Sequence, residues 1–283
     1  MQGSLVTSPI GFVRVIDSIG GTSSYNTVAT TGGVFIAADD RLTVAVNTRE
    51  TSLLTERAPV TRHVDGPIYA SDDRAATWTN IGGPQAAMSM AINQQRDELF
   101  VANTPYTYRS PDGGLTWFRE TFGPYFAIDP RDPTIQWYST GTGATRRRVS
   151  GGTWATAGAA LTSAPNATFV LAVNPLDSNV WVGGDFGVEV VSSSGREFRM
   201  ENSGLPQRTT VFGSSQAPVR SFAFDPRNAN VIYAGTDEGL CVRQAGSTAW
   251  TVVTSQIIGS DRAVRAVAVD PNDARTVLIG RND

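Results

Sequence analysis

Lysine is missing altogether: the 23 basic residues of this 283-residue chain are all arginine. An arginine-favouring coding background accounts for such usage, and it also supplies planar, bidentate partners for carboxylate or phosphate. Cysteine occurs once, at Cys241, which excludes an intrachain disulfide and every cysteine-built metal pattern. Its apolar setting, Leu240-Cys241-Val242, predicts a buried and inert thiol. Histidine also occurs once, at His63, so no two-histidine zinc set can form. A phosphate-binding glycine motif, a nucleophile elbow and a calcium loop are all lacking, so no metal or cofactor is expected. Long hydrophobic runs are lacking too: the stretch 169–173 is far too short to cross a bilayer, and residues 1–19 show no basic segment followed by an apolar one. The expectation is a soluble chain without membrane insertion. A net charge of −3 gives no broad field for binding nucleic acid. The lack of leader and disulfide suits something assembled in a cytoplasm and released, extracellular or in a virion, among other settings, and the compartment is otherwise unknown.

What the chain does have is turns and strands. Hydrophobic residues make up 40% and charged ones 17%, beside 28 glycines and 15 prolines, a turn-rich globular composition. Four segments share the order apolar strand, Asp/Asn-Pro turn, second strand. They are Phe126-Ala127-Ile128-Asp129-Pro130, Leu171-Ala172-Val173-Asn174-Pro175, Phe222-Ala223-Phe224-Asp225-Pro226 and Val267-Ala268-Val269-Asp270-Pro271. The turns recur every roughly 45 to 51 residues, room for four short strands per repeat. Two earlier units, at 33–46 and 88–101, keep the pattern without the proline. The last unit stops after its second strand, and residues 1–17 can supply the missing half of 263–283. The predicted fold is therefore all-β: a six-bladed β-propeller of four-stranded antiparallel blades, a single domain over 1–283, its last blade closed by N-terminal and C-terminal strands together.

The second half of each unit carries a turn best preserved at Ser110-Pro111-Asp112-Gly113-Gly114-Leu115-Thr116-Trp117. Asp112 can accept backbone N–H bonds, Gly113 or Gly114 can take φ > 0, and Trp117 resumes a strand with an indole to bury. The pattern S-x-D-x-G-x-T-W resembles the Asp-box, or BNR repeat, of sialidases, sortilin-type receptors and related propellers. Ser71, Asp73 and Trp78 keep much of it, with Ala75 for a glycine, and 150–154 has lost the aspartate, whereas 194–198 and 246–250 keep little beyond an aromatic residue. Survival of the aromatics predicts that packing between blades outweighs the turn carboxylate.

In the propellers this chain resembles, ligands meet the face opposite the boxes. The resemblance therefore directs attention to the insertion 47–66 and to the linkers 18–31, 155–167 and 201–218. Candidate binding residues in the insertion are Arg49, Arg57, Arg62 and His63, each of which also suits a solvated loop. Candidate carboxylates on that face are Glu50, Glu56, Asp65, Asp185, Asp237 and Glu238. In Arg146-Arg147-Arg148 the alternation of a strand places Arg146 and Arg148 on one face, suited to an anion or to plain solvation. Tyr106 and Tyr108 likewise share a face, for core packing or for stacking on a ligand. The stretch 12–17 lacks the Ile-Pro of the sialidase Arg-Ile-Pro signature. The expected function is a non-catalytic recognition or scaffold module presenting loops to a glycan or protein partner, including as a component of a virion or other larger assembly. The alternative is a glycoside hydrolase or lyase with its carboxylates on the loop face, which would need two of them converging across one bond.

Overall fold

A computed structural model describes residues 6–7, 13–14, 26–36, 42–52, 60–71, 77, 79–84, 89–93, 98–102, 106–140, 145–149, 151–158, 167–210, 213–253, 263–270 and 273–281. Among these every regular element is a strand. A short hairpin pairs β1 (Val6–Thr7) with β2 (Val13–Arg14). Sheet I orders β3 (Asn26–Ile36), β4 (Leu42–Ser52), β5 (Val60–Ser71) and β6 (Thr79–Gly82). Sheet II holds β7 (Ser89–Asn93), β8 (Glu98–Ala102), β9 (Tyr106–Ser110) and β10 (Phe118–Phe122). Sheet III holds β11 (Tyr125–Ile128), β12 (Ile135–Ser139), β13 (Thr145–Val149) and β14 (Ala155–Ala157). Sheet IV holds β15 (Thr168–Val173), β16 (Val180–Gly184), β17 (Gly187–Val191) and β18 (Phe198–Met200). A hairpin of β19 (Gln207–Thr210) and β20 (Gly213–Gln216) follows. Sheet V holds β21 (Val219–Phe224), β22 (Ile232–Thr236), β23 (Gly239–Arg243) and β24 (Trp250–Val252), and β25 (Val264–Val269) pairs with β26 (Val277–Arg281). The chain divides into two compact units, Met1–Phe126 and Ala127–Asp283.

The first unit shows why the best-preserved turn folds. Ser110 Oγ donates to Asp112 Oδ1 at 2.8 Å and accepts from the Gly114 N–H at 2.7 Å. Asp112 in turn accepts from the Thr116 N–H at 2.8 Å and the Thr116 hydroxyl at 2.6 Å. Those bonds hold its carboxyl below its ordinary value, the Thr116 hydroxyl contributing most. Gly113 and Gly114 both take positive φ, 66° and 105°, so the turn needs the pair. Trp117 then donates its indole N–H to Gly114 O at 3.0 Å and packs with Ile81 on a core of Ile68, Met90 and Val101. In this way the turn of sheet II is fastened to sheet I.

In sheet I the stretch 47–66, expected as an insertion loop, is mostly ladder. β4 and β5 run on together so that Asn47 pairs with Asp65, Arg49 with His63 and Glu50 with Arg62. A hairpin satisfies in register the backbone groups that an irregular excursion would leave to solvent. Arg57, Asp73 and Trp78 lie outside the described residues, and Ser71 closes β5.

The second unit repeats one device at the turn end of its sheets. Asp129 Oδ1 accepts the Arg131 N–H at 2.9 Å, Asn174 Oδ1 that of Leu176 at 3.0 Å, and Asp225 Oδ1 that of Arg227 at 2.7 Å. Proline in the intervening position presets φ, and the side chain supplies the acceptor that the tight turn lacks. Neighbouring turns are also bonded to each other: Ser178 Oγ donates to Asp129 Oδ1 at 3.0 Å and Asn174 Nδ2 to Ala229 O at 2.9 Å. Between sheets the spacing is set by glycines in extended conformation. A Cβ on Gly183 would lie 2.8 Å from Val219 Cγ1, and one on Gly235 would lie 2.7 Å from Val264 O, so only glycine lets the next first strand approach. The core of sheets IV and V gathers Trp181, Val188, Val190, Val219, Ile232, Cys241 and Trp250. Burial pushes the Cys241 thiol up to about 12, which makes it inert.

One expectation needs correction here: the aromatic of each repeat is not always a buried staple. Trp250 is 3% exposed, with its indole N–H on Glu201 O at 2.6 Å, whereas Phe198 on the edge strand β18 is 52% exposed.

Candidate functional site at the loop end of sheets IV and V

The end of the sheets opposite the Asp/Asn-Pro turns is built around three β-bulges. In β15 the register steps from Thr168 opposite Gly184 to Val170 opposite Gly183, which leaves Phe169 unpaired. In β21 it steps from Val219 to Ser221, leaving Arg220, and in β25 from Val264 to Ala266, leaving Arg265. A bulged residue leaves the pleat, and its side chain is re-aimed out of the ladder. The same ladder position thus carries Phe169, Arg220 and Arg265 in successive first strands.

These side chains meet the turns that join second strands to third. Arg220 donates through Nε and Nη2 to the two oxygens of Asp237 at 2.9 and 2.8 Å, and Arg265 donates through Nη1 to Asp237 Oδ1. The Arg220 guanidinium lies over the Phe169 ring, 3.9 Å from its centroid, a cation–π contact that also fixes the fork. Asp185 occupies in sheet IV the turn that Asp237 occupies in sheet V. Its backbone N–H donates to Ala167 O at 3.1 Å, as that of Asp237 does to Pro218 O at 3.0 Å. The difference lies in the side chains. Ala167 returns its N–H to Asp185 Oδ1 at 2.8 Å. Pro218 has no N–H to return, and the Asp237 carboxylate is taken by arginines instead.

Electrostatics separate the two acids. Burial raises the Asp185 carboxyl above its ordinary value, against the opposing pull of the Ala167 N–H and the charges of Arg220 and Arg208. Burial pushes Asp237 upwards as well, but the Arg220 hydrogen bond and the charges of Arg220, Arg265 and Arg208 hold its carboxyl below its ordinary value. Arg208 reaches this end from the β19–β20 hairpin, whose base is tied by the Ala217 N–H to Pro206 O at 2.9 Å. The linker 201–218 is therefore a hairpin, where an irregular loop was expected.

The other residues singled out from sequence are dispersed. Arg146 and Arg148 do share one face of β13, but Arg146 bonds the Thr156 hydroxyl, and Arg148 donates to Gln136 Oε1 at 2.7 Å while lying 4.5 Å from the Trp154 centroid. Arg147, on the other face, covers Trp137 and donates to Ser193 O at 2.8 Å. In the first unit Tyr106 and Tyr108 meet edge to face at 6.4 Å, half-buried, with Arg119 over the Tyr106 ring. Arg49, Arg62 and His63 are placed by backbone register alone. Sequence reasoning named Asp185, Asp237 and Glu238 but missed Phe169, Arg208, Arg220 and Arg265. A signal for three of the four was present: five residues before Asn174, Asp225 and Asp270 stand Phe169, Arg220 and Arg265, two of them arginines inside strands. Among the described residues no group of three or more His, Cys, Asp or Glu side chains is placed to hold a metal.

No protein-family model matches the sequence, and no curated protein matches it. Solved structures do. The chain is similar to an ancestral GH74 enzyme, with 16% identity and a TM-score of 0.60 over 86% of this chain and 33% of that one. It is similar to the extracellular domain of a hybrid two-component system from Bacteroides thetaiotaomicron, at 12% identity and a TM-score of 0.60 over 90% and 38% of the respective chains. A third likeness is to the GH74 xyloglucanase from Xanthomonas campestris, at 14% identity and a TM-score of 0.50 over 90% and 52%. The chain therefore spans between a third and about half of the length of these structures. The likeness shows the fold, a β-propeller made of four-stranded antiparallel sheets.

Proposed function

We propose that the chain is a non-catalytic recognition module, a propeller of six blades with the last completed by strands from both chain ends, which binds its ligand at the loop end of sheets IV and V. One observation carries this reading: the acid at the centre of that end is paired with two arginines. Both oxygens of Asp237 are held by Arg220, and Arg265 adds a third bond, so its charge is committed to neutralising two guanidiniums. Rigid presentation suits recognition, since bulges and ion pairs fix these side chains before a ligand arrives. A glycan array checks the reading directly: binding without turnover is expected, and hydrolysis of any bound glycan would contradict it.

One observation favours a second reading, glycoside hydrolysis. The proton affinities of Asp185 and Asp237, on equivalent turns of neighbouring sheets, are displaced in opposite directions, as a general acid and an ionised carboxylate require. Xyloglucan, suggested by the name of one structural neighbour, is the substrate to try first. Turnover that Asp185→Asn abolishes would establish the hydrolase and displace the recognition reading.

A further inference from the structure

We infer that β18, the last strand of sheet IV, is an interface for a second copy of this chain, paired antiparallel with the same strand about a two-fold axis at Phe198. β18 pairs with β17 on one side, and among the described residues no strand lies on the other. The bonds to β17 decide which groups are left over. The Ser192 N–H donates to Glu197 O at 2.8 Å and the Glu201 N–H to Val188 O at 2.9 Å, so the odd-numbered residues of this strand bond inward. Phe198 and Met200 therefore turn their backbone N–H and C=O groups to the open edge. Such an edge is a template for another strand, and native chains commonly guard it with lysine, proline or a bulge. β10 has a bulge between Arg119 and Thr121, whereas the run 196–200 has no lysine and no proline, and β18 has no register shift.

Charge complementarity points to a second copy as the occupant. Arg196-Glu197-Phe198-Arg199-Met200 complements itself when laid antiparallel on its own copy. With Phe198 opposite Phe198 of the second copy, the two residues exchange both N–H···O bonds through their outward groups. Glu197 then stands opposite Arg199 of the second copy, and Arg199 opposite its Glu197, so one register makes two pairs of opposite charge. A slip by two residues in either sense sets Glu197 or Arg199 against itself, which fixes the register. All five residues are exposed, and Arg199 spends its Nε on Glu201 Oε1 at 2.7 Å, with the rest of its fork available. On the opposite face, Phe198 and Met200, 52% and 45% exposed, gather with their copies into one apolar strip across the axis. An isologous contact of this kind closes at two copies.

Sedimentation velocity of the whole chain over about a hundredfold range of concentration tests this. The mass should rise from one copy toward two. Glu197→Arg sets like charges opposite each other twice and should weaken the association about tenfold, with the melting temperature of the dilute chain unchanged. A mass of one copy throughout, or association that Glu197→Arg leaves as it was, would overturn the inference. Cross-linking reads the register. The Glu197→Cys and Arg199→Cys chains carry their thiols at directly opposed positions, so under oxidation they should form a disulfide when mixed and none when kept apart. Cys241 is buried and does not compete. Cross-linking of either variant with itself as readily as in the mixture, or none in the mixture, would overturn the antiparallel pairing at Phe198.

Discussion

At one end of the second unit's sheets, Asp129, Asn174 and Asp225 each cap a tight turn with the same short bond to the N–H two residues on. At the other end Phe169, Arg220 and Arg265 share a ladder position and are three different bonding situations: a stacked ring, a bidentate fork and a half-open guanidinium. Repetition of a residue together with its bond marks what every sheet needs in order to fold. A position that repeats while its chemistry varies is free of that demand, and the proposed site is placed at the loop end on that ground.

Substitutions can break or sharpen this contrast. The largest effect is expected from Trp250→Ala, which empties a buried site between sheets IV and V and should cost about 3–5 kcal/mol in denaturant unfolding. Gly235→Ala should cost about 1–3 kcal/mol by the same measurement, because its Cβ would press on the Val264 carbonyl, which is backbone and yields little. Both changes concern the repeated framework and should disturb ligand binding only through stability.

The two loop-end acids should behave oppositely. Asp237, its carboxyl held low, contributes stability above the unfolded-state value that is lost as pH falls through the folded-state value. Asp237→Asn should therefore lower stability at neutral pH by about 1–3 kcal/mol and flatten the acid limb of the stability profile. Asp185, its carboxyl held high, binds its proton more tightly folded than unfolded, so stability rises as pH falls through the folded-state value. Asp185→Asn keeps an acceptor for the Ala167 N–H and should leave neutral-pH stability equal or higher. A loss there would contradict burial as the dominant effect on this side chain. The smallest change is expected from Phe198→Ala on the exposed edge strand, within about 0.5 kcal/mol.

Much of the framework was legible in the residues, because it rests on local chemistry. Asp/Asn-Pro marks a turn by presetting φ and supplying an acceptor, and Ser110 to Trp117 can be read almost bond by bond. The long β4–β5 hairpin was not legible: Arg49, Glu50, Arg62 and His63 look like loop residues, and only pairing makes them strand. The β19–β20 hairpin was hidden for the same reason, being polar on both faces. The bulges left a trace, a Phe or Arg five residues before the turns at Asn174, Asp225 and Asp270. What Arg220 binds could not be read, because its partner Asp237 lies 17 residues away across a register step. Phe198 misled because an aromatic residue at an edge strand has the same letter as one in a core.

The central claim is that the ligand meets the loop end while the turn end only folds. Hydrogen–deuterium exchange of the whole chain, with and without a saturating concentration of the glycan that binds on the array, addresses both ends in one measurement. Protection is predicted at 207–216, 218–221 and 263–266, with no change at the turns 129–135, 174–180 and 225–231. Protection confined to those turns, with the loop end unchanged, would contradict the account.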